Sequence, residues 1–178
     1  MFKIILAVMV FTLAACGESS KKSNTNSNIS PNNVSAVESS DFSFIEDSNL
    51  RACFDNSGMT VESVHTVVCS GKGVQSLEGM GQLPALKNLN LSHNKVSDLS
   101  PLAEVKGLEV LYATNNLIES VDALESLPEL NAISLRSNQL SDVDAFYTLP
   151  QLKKLYVQGN VELDLDEDKL VQGVIVAI

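Results

Sequence analysis

Leu86-x-x-Leu89-x-Leu91-x-x-Asn94 returns 22 residues later as Leu108-x-x-Leu111-x-Ala113-x-x-Asn116, then as Leu130-x-x-Ile133-x-Leu135-x-x-Asn138 and Leu152-x-x-Leu155-x-Val157-x-x-Asn160. Leu83, Val105, Leu127 and Leu149 open the four copies in the same phase. Four copies in strict register over residues 83–160 are not chance. A fixed period in the twenties marks stacked coils, each contributing one supersecondary unit to a continuous core. Apolar residues two apart, such as Leu89 and Leu91, face the same way on a strand, so each coil is expected to hold one short strand and a return segment.

The same alternation sorts the rest of each strand. With Leu89 and Leu91 inward, Asn88, Asn90 and Ser92 face out, as do Val110, Tyr112 and Thr114, then Ala132, Ser134 and Arg136, and finally Lys154, Tyr156 and Gln158. Packing does not dictate these identities, so specificity is sought among them. Asn94, Asn116, Asn138 and Asn160 stand where each strand ends and the chain turns inward. An Asn amide both donates and accepts, and there it can satisfy backbone groups of its own and the neighbouring coil. This asparagine ladder is read as structural.

The return segments repeat as well: Leu99-Ser-Pro-Leu102, Val121-Asp-Ala-Leu124 and Val143-Asp-Ala-Phe146. Two apolar residues three apart suit a tight helical turn, and Pro101 is at home in a first turn.

Composition fits this reading. Of 178 residues, 44% are hydrophobic but only 5% aromatic, with no Trp, so the core must be built from Leu, Val, Ile and Ala. The net charge of −10, with scattered Lys and Arg, argues against nucleic acid, which is held by clustered cations.

The first 15 residues read as a lipoprotein signal peptide. Lys3 precedes an apolar run from Ile4 to Leu13 that is too short to span a bilayer, and Leu13-Ala14-Ala15-Cys16 resembles the bacterial lipobox. That resemblance implies lipidation of Cys16, with a thioether on its sulfur and an acyl chain (palmitate) on its amine, and several chains anchor where one would not. The alternative is an ordinary secretory signal with Cys16 incidental. Gly17 rather than Asp follows the cysteine, which in a Gram-negative bacterium implies the outer membrane. Residues 16–40 are rich in Ser and Asn and are expected to form a disordered tether.

Residues 41–82 read as an amino-terminal cap and a degenerate first repeat. Asp47 can cap a short helix over residues 47–56 that places Leu50, Cys53 and Phe54 on one face. Val64-x-x-Val67-x-Cys69 keeps the repeat's apolar positions, but Lys72 replaces the asparagine. Thr66, Val68 and Ser70 then face outward, and Cys69 points into the core towards Cys53. With Cys16 lipidated and the compartment oxidising, a Cys53–Cys69 disulfide is expected, two buried free thiols being the alternative. Residues 161–178 read as a carboxy-terminal cap. Asp164, Asp166 and Asp168 have the spacing of a calcium loop, but Lys169 and Ile175 stand where its Gly and Glu belong, so no metal is assigned.

These repeats, the Ser-Pro-Leu segment and the preceding cap helix resemble the leucine-rich repeat domains of bacterial internalins and related short surface lipoproteins, over residues 44–163. The resemblance implies an α/β repeat fold: a right-handed horseshoe with a parallel β-sheet on its concave side, short helical turns on its convex side and an N-terminal cap helix.

Function is then expected from a surface. The first reading is a monomeric, membrane-anchored module that binds a protein or peptide on its concave sheet through Asn90, Tyr112, Ser134, Arg136, Lys154 and Tyr156, since Tyr and Arg often carry binding energy. About fifteen outward side chains are fewer than a standard interface uses, which favours a peptide or a loop. The alternative is a structural envelope lipoprotein, a spacer or assembly element without a dedicated ligand. An enzyme is not expected and no cofactor is assigned: the two histidines, His65 and His93, have no carboxylate placed by a recognisable motif to orient them.

Overall fold

The computed structural model describes residues 41–54, 58–160, 163 and 165–178. The chain divides into two units, residues 1–35 and 36–178, and every described residue lies in the second. The signal peptide, Cys16, the tether and Asp164 lie outside the described residues.

Six three-residue strands form one parallel sheet in sequence order: β1 Thr66–Val68, β2 Asn88–Asn90, β3 Val110–Tyr112, β4 Ala132–Ser134, β5 Lys154–Tyr156 and β6 Ile175–Ala177. The register is the repeat itself, with Val67 beside Leu89, Leu89 beside Leu111, Leu111 beside Ile133, and Ile133 beside Leu155. The last step, Leu155 to Val176, is one residue shorter. Strands this short hold together because each inner one is paired on both sides and buries its central residue.

On the opposite side the return segments are tight turns. Ser100–Glu104 and Asp122–Ser126 are 3-10 helices, and Asp144–Thr148 is a short α-helix, α2. The N–H groups of Leu102, Leu124 and Phe146 donate to the carbonyls of Leu99, Val121 and Val143, three residues back. Near three residues per turn, positions three apart lie one above the other, so Leu99 and Leu102 both reach the core and both are buried. The core is thus a stack of like layers, in which Leu108, Leu111, Ala113, Ile118, Leu124 and Leu127 of one coil are fully buried beneath their counterparts in the next.

The amino-terminal helix α1, Ser48–Arg51, is shorter than the expected 47–56 span. After Arg51 the N–H groups of Cys53 and Phe54 bond three residues back, to Leu50 and Arg51, so the helix tightens into turns before the disulfide is reached. Cys53 and Cys69 are bridged across 16 residues of sequence. Phe42 stacks on Phe54 with ring centroids 4.6 Å apart, and Ile45, Leu50 and Phe54 close the core beyond β1. At the other end the acidic turn Glu167–Lys169 leads into β6, and the hydroxyl of Tyr147 accepts the N–H of Asp166 at 2.8 Å.

Candidate functional site: the outward face of the sheet

Each coil is closed by its asparagine. Asn138 shows the pattern: its Nδ2 donates to the carbonyls of Leu135 in its own coil and Ala113 in the preceding one, at 3.0 and 2.9 Å, while its Oδ1 accepts the N–H of Ile118. Asn94, Asn116 and Asn160 make the equivalent bonds. Asn94 meets the degenerate edge coil differently, its Oδ1 accepting from Lys72, Gly73 and Val74 together. Through these bonds the amides hold the strand ends in line and so fix the spacing of the outward side chains.

A second periodic feature was not read in the sequence. Gly71, His93, Asn115, Ser137 and Gly159 all have positive φ, between 53° and 76°, and each stands one residue before the ladder position. Every coil therefore leaves the sheet through one left-handed residue, which turns the chain towards the core. Gly serves in the two end coils and a side chain is tolerated in the three between. This accounts for His93, whose Nδ1 lies 3.1 Å from Asn115 Nδ2 along the same rim. His65 Nδ1 lies 2.7 Å from the Ser63 carbonyl.

Of the six residues expected to meet a partner, Asn90, Tyr112, Ser134 and Tyr156 stand in one row across the sheet, with Val68 before them and Ala177 after. Tyr112 is 43% exposed, while Tyr156 and Asn90 are half-buried. Arg136, one position beyond the row, lays its guanidinium 4.5 Å from the centroid of the Tyr156 ring and donates through Nε to Gln158 Oε1. Stacking of this kind contributes about 0.5–1 kcal/mol at an exposed site and holds the planar donor group in one orientation. Lys154 is exposed in the neighbouring row.

Ser134 departs from its expected role. It is only 6% exposed, because a short side chain between Tyr112 and Tyr156 is shaded by both, and its hydroxyl lies 2.9 Å from that of Thr114. The serine is an internal spacer of the tyrosine row and offers no surface to a partner.

At the β1 end the face opens into a shallow depression of about 230 Å³ bordered by Thr66, Val68, Asn88, Asn90, Val110 and Tyr112. Val68 is 65% exposed although its neighbours Val67 and Cys69 are buried. Outward alternation signals Val68 in the sequence, but its exposure depends on nothing larger standing beside it. At the rim, Lys87 Nζ and Glu109 Oε1 form an ion pair at 2.6 Å, and Glu109 raises the Lys87 pKa above its ordinary value through hydrogen bond and charge.

Residues 106–161 match the leucine rich repeat family model. The fold is an internalin-like leucine-rich repeat solenoid. An internalin, InlF, of Listeria monocytogenes is 24% identical and superposes with a TM-score of 0.65, covering 81% of this chain and 46% of that one. The functional domain of InlJ from the same species, which includes a cysteine ladder, is 19% identical with a TM-score of 0.65 over 74% of this chain and 31% of its own. A leucine-rich repeat protein of Leptospira interrogans is 26% identical with a TM-score of 0.53, over 58% and 28% of the two chains. The chain thus spans less than half the length of these solved relatives. No curated protein matches it in sequence.

Proposed function

We propose that this leucine-rich repeat chain is a non-enzymatic binding module, held at the bacterial cell envelope by lipid on Cys16, that takes a protein or peptide on the outward face of its sheet. The observation that carries the reading is the arrangement on that face: Tyr112 exposed, and Arg136 already stacked on Tyr156 and bonded to Gln158. Pre-ordered aromatic and guanidinium groups lose little freedom on association, so they contribute more to affinity than flexible side chains do. The inward leucines of the repeat and the four ladder asparagines are committed to the core and the strand ends, which leaves the outward rows to discriminate between partners. The lipobox-like Leu13-Ala14-Ala15-Cys16 supports a lipid anchor at the start of the 16–40 tether, and Gly17 after it supports outer-membrane display in a Gram-negative bacterium.

The experiment is in-cell crosslinking followed by partner identification, comparing the native chain with a Tyr112→Ala, Arg136→Ala, Tyr156→Ala triple variant. Partners should be lost from the triple variant, and a capture pattern unchanged by it counts against the reading. Labelling with a palmitate analogue should be abolished by Cys16→Ser, and labelling that persists rejects the anchor.

The second reading, an assembly element, draws on the other end of the sheet, where Ile175 and Ile178 on and beside β6 are 58% and 67% exposed. Sedimentation showing self-association that is removed by Ile175→Asp would favour it.

A further inference from the structure

We infer that the partner of the outward face is an extended acidic peptide segment that runs across the strands, with one apolar side chain seated beside Val68 and Tyr112 and a carboxylate about four residues away meeting Lys154. The inference rests on the reading of this face as a binding surface and specifies what it takes.

The depression at β1–β3, at about 230 Å³, falls below the range of about 300–1,000 Å³ typical of small-molecule sites. It is open, and it is lined by Val68, Val110 and the ring of Tyr112 with amides between them, which suits a single apolar side chain on a longer chain. Asn90 Oδ1 accepts the N–H of Ser92, while among the described residues its Nδ2 has no hydrogen-bond partner; Asn88 Nδ2 makes only a long contact, 3.4 Å, with Thr66 Oγ1. Free side-chain amides beside an apolar depression are matched by the carbonyls of a peptide backbone. The inner strands already pair on both sides, so the segment is read by side chains and not added as another strand.

Charge selects its chemistry. The outward positions of β1–β5 and of the residue that follows each strand by two include no Asp or Glu, yet they include Arg136 and Lys154. At the rim, outside these positions, Glu109 is paired with Lys87, on which Glu129 also acts. Acids crowd the return segments instead, with Asp98, Glu104, Asp122 and Asp144 among them. The chain's net charge of −10 would repel an acidic partner at a distance, but screening over about 8 Å leaves the local cations to decide the docked state.

Geometry sets the spacing. The depression is centred on β2, and Lys154 lies on β5, three strand spacings away, or about 14 Å. An extended peptide covers that in about four residues, and residues four apart on it face the same way.

A random twelve-residue peptide library displayed on phage, selected on the full chain with its disulfide intact, tests this. Enriched peptides should pair an apolar residue with Asp or Glu four positions away. Synthetic versions measured by fluorescence anisotropy should bind about fivefold more weakly to Lys154→Glu and at least about tenfold more weakly to Val68→Asp, with melting unchanged. Both positions are exposed, so folding is not at issue. Peptides without the acidic residue, or indifferent to Lys154→Glu but lost with Tyr112→Ala, overturn this inference and leave the binding face standing. Peptides indifferent to all three substitutions overturn both. No enrichment at all overturns the peptide as partner.

Discussion

The carboxylate of Asp47 accepts the N–H of Gln75, 28 residues away, at 2.8 Å. The same Oδ2 accepts from Ser76, while Oδ1 caps α1 through the N–H groups of Asn49 and Leu50. One side chain therefore starts the cap helix and fastens it to the turn of the edge coil. An end coil has a neighbour on only one side, so its cap decides whether the stack frays there.

Burial pushes the Asp47 carboxyl up, but the N–H groups of Gln75, Ser76, Leu50 and Asn49 outweigh it and hold the pKa below its ordinary value. A carboxylate depressed in the folded state stabilises above its unfolded pKa, about 3.9, and that contribution is lost as pH falls through the lower folded value. Asp47→Ala should cost about 1–2 kcal/mol at pH 7. The gap to the native protein should be constant above about pH 5 and narrow below about pH 4. Urea unfolding at several pH values checks it, and a gap that widens on acidification would contradict the assignment.

The Cys53–Cys69 bridge closes a loop of about the length for which chain entropy gives about 3 kcal/mol. Replacing both cysteines with Ala should lower stability by that order. Because coils interact chiefly with their neighbours, the loss should be local: amide exchange should quicken at Val67 first and least at Ile133. Equal acceleration at both positions would show instead that the solenoid unfolds as one unit.

Asn138→Ala removes an acceptor for Ile118 and donors to Ala113 and Leu135, all in buried surroundings. The Ile118 N–H is left without a partner, at about 1–3 kcal/mol, while the Ala113 and Leu135 carbonyls each keep one donor, from Asn116 and Asn160, so a loss of about 2–4 kcal/mol is expected. Asn160→Ala removes similar bonds in a half-buried end coil, where water can substitute, and should cost clearly less. Chemical denaturation of the two variants side by side tests this, and equal losses would mean that burial does not set the cost.

The period made much of this legible. It located every strand of β1–β5, the inward leucines, the core position of Cys69 and the asparagines, because each follows from a side chain repeating at a fixed offset. The last strand, β6, lies within the expected carboxy-terminal cap but one residue off the period, so the repeat does not locate it. Three things did not follow. The length of α1 depends on where backbone bonds shift from four residues back to three, which no residue type announces. The burial of Ser134 depends on the sizes of Tyr112 and Tyr156 one strand to either side. The left-handed residue before each ladder position is Gly, His, Asn, Ser and Gly in turn, so the conformation recurs without a common side chain to mark it.

That series yields a graded prediction. A left-handed conformation costs an ordinary residue about 1–2 kcal/mol, Asn less, and Gly nothing steric, although Gly loses more entropy on folding. Ser137→Gly and His93→Gly should therefore stabilise the solenoid by about 0.5–1 kcal/mol, and Asn115→Gly should be near neutral. Gly159→Ala should destabilise by at least about 1 kcal/mol, since its Cβ would take on the strained φ and also come within 3.2 Å of Ser137 Oγ. Thermal melts of the four variants decide it. The order Ser137 and His93 improved, Asn115 unchanged and Gly159 impaired follows from backbone strain, whereas a loss in Ser137→Gly would mean that the serine's own contacts along the rim outweigh that strain.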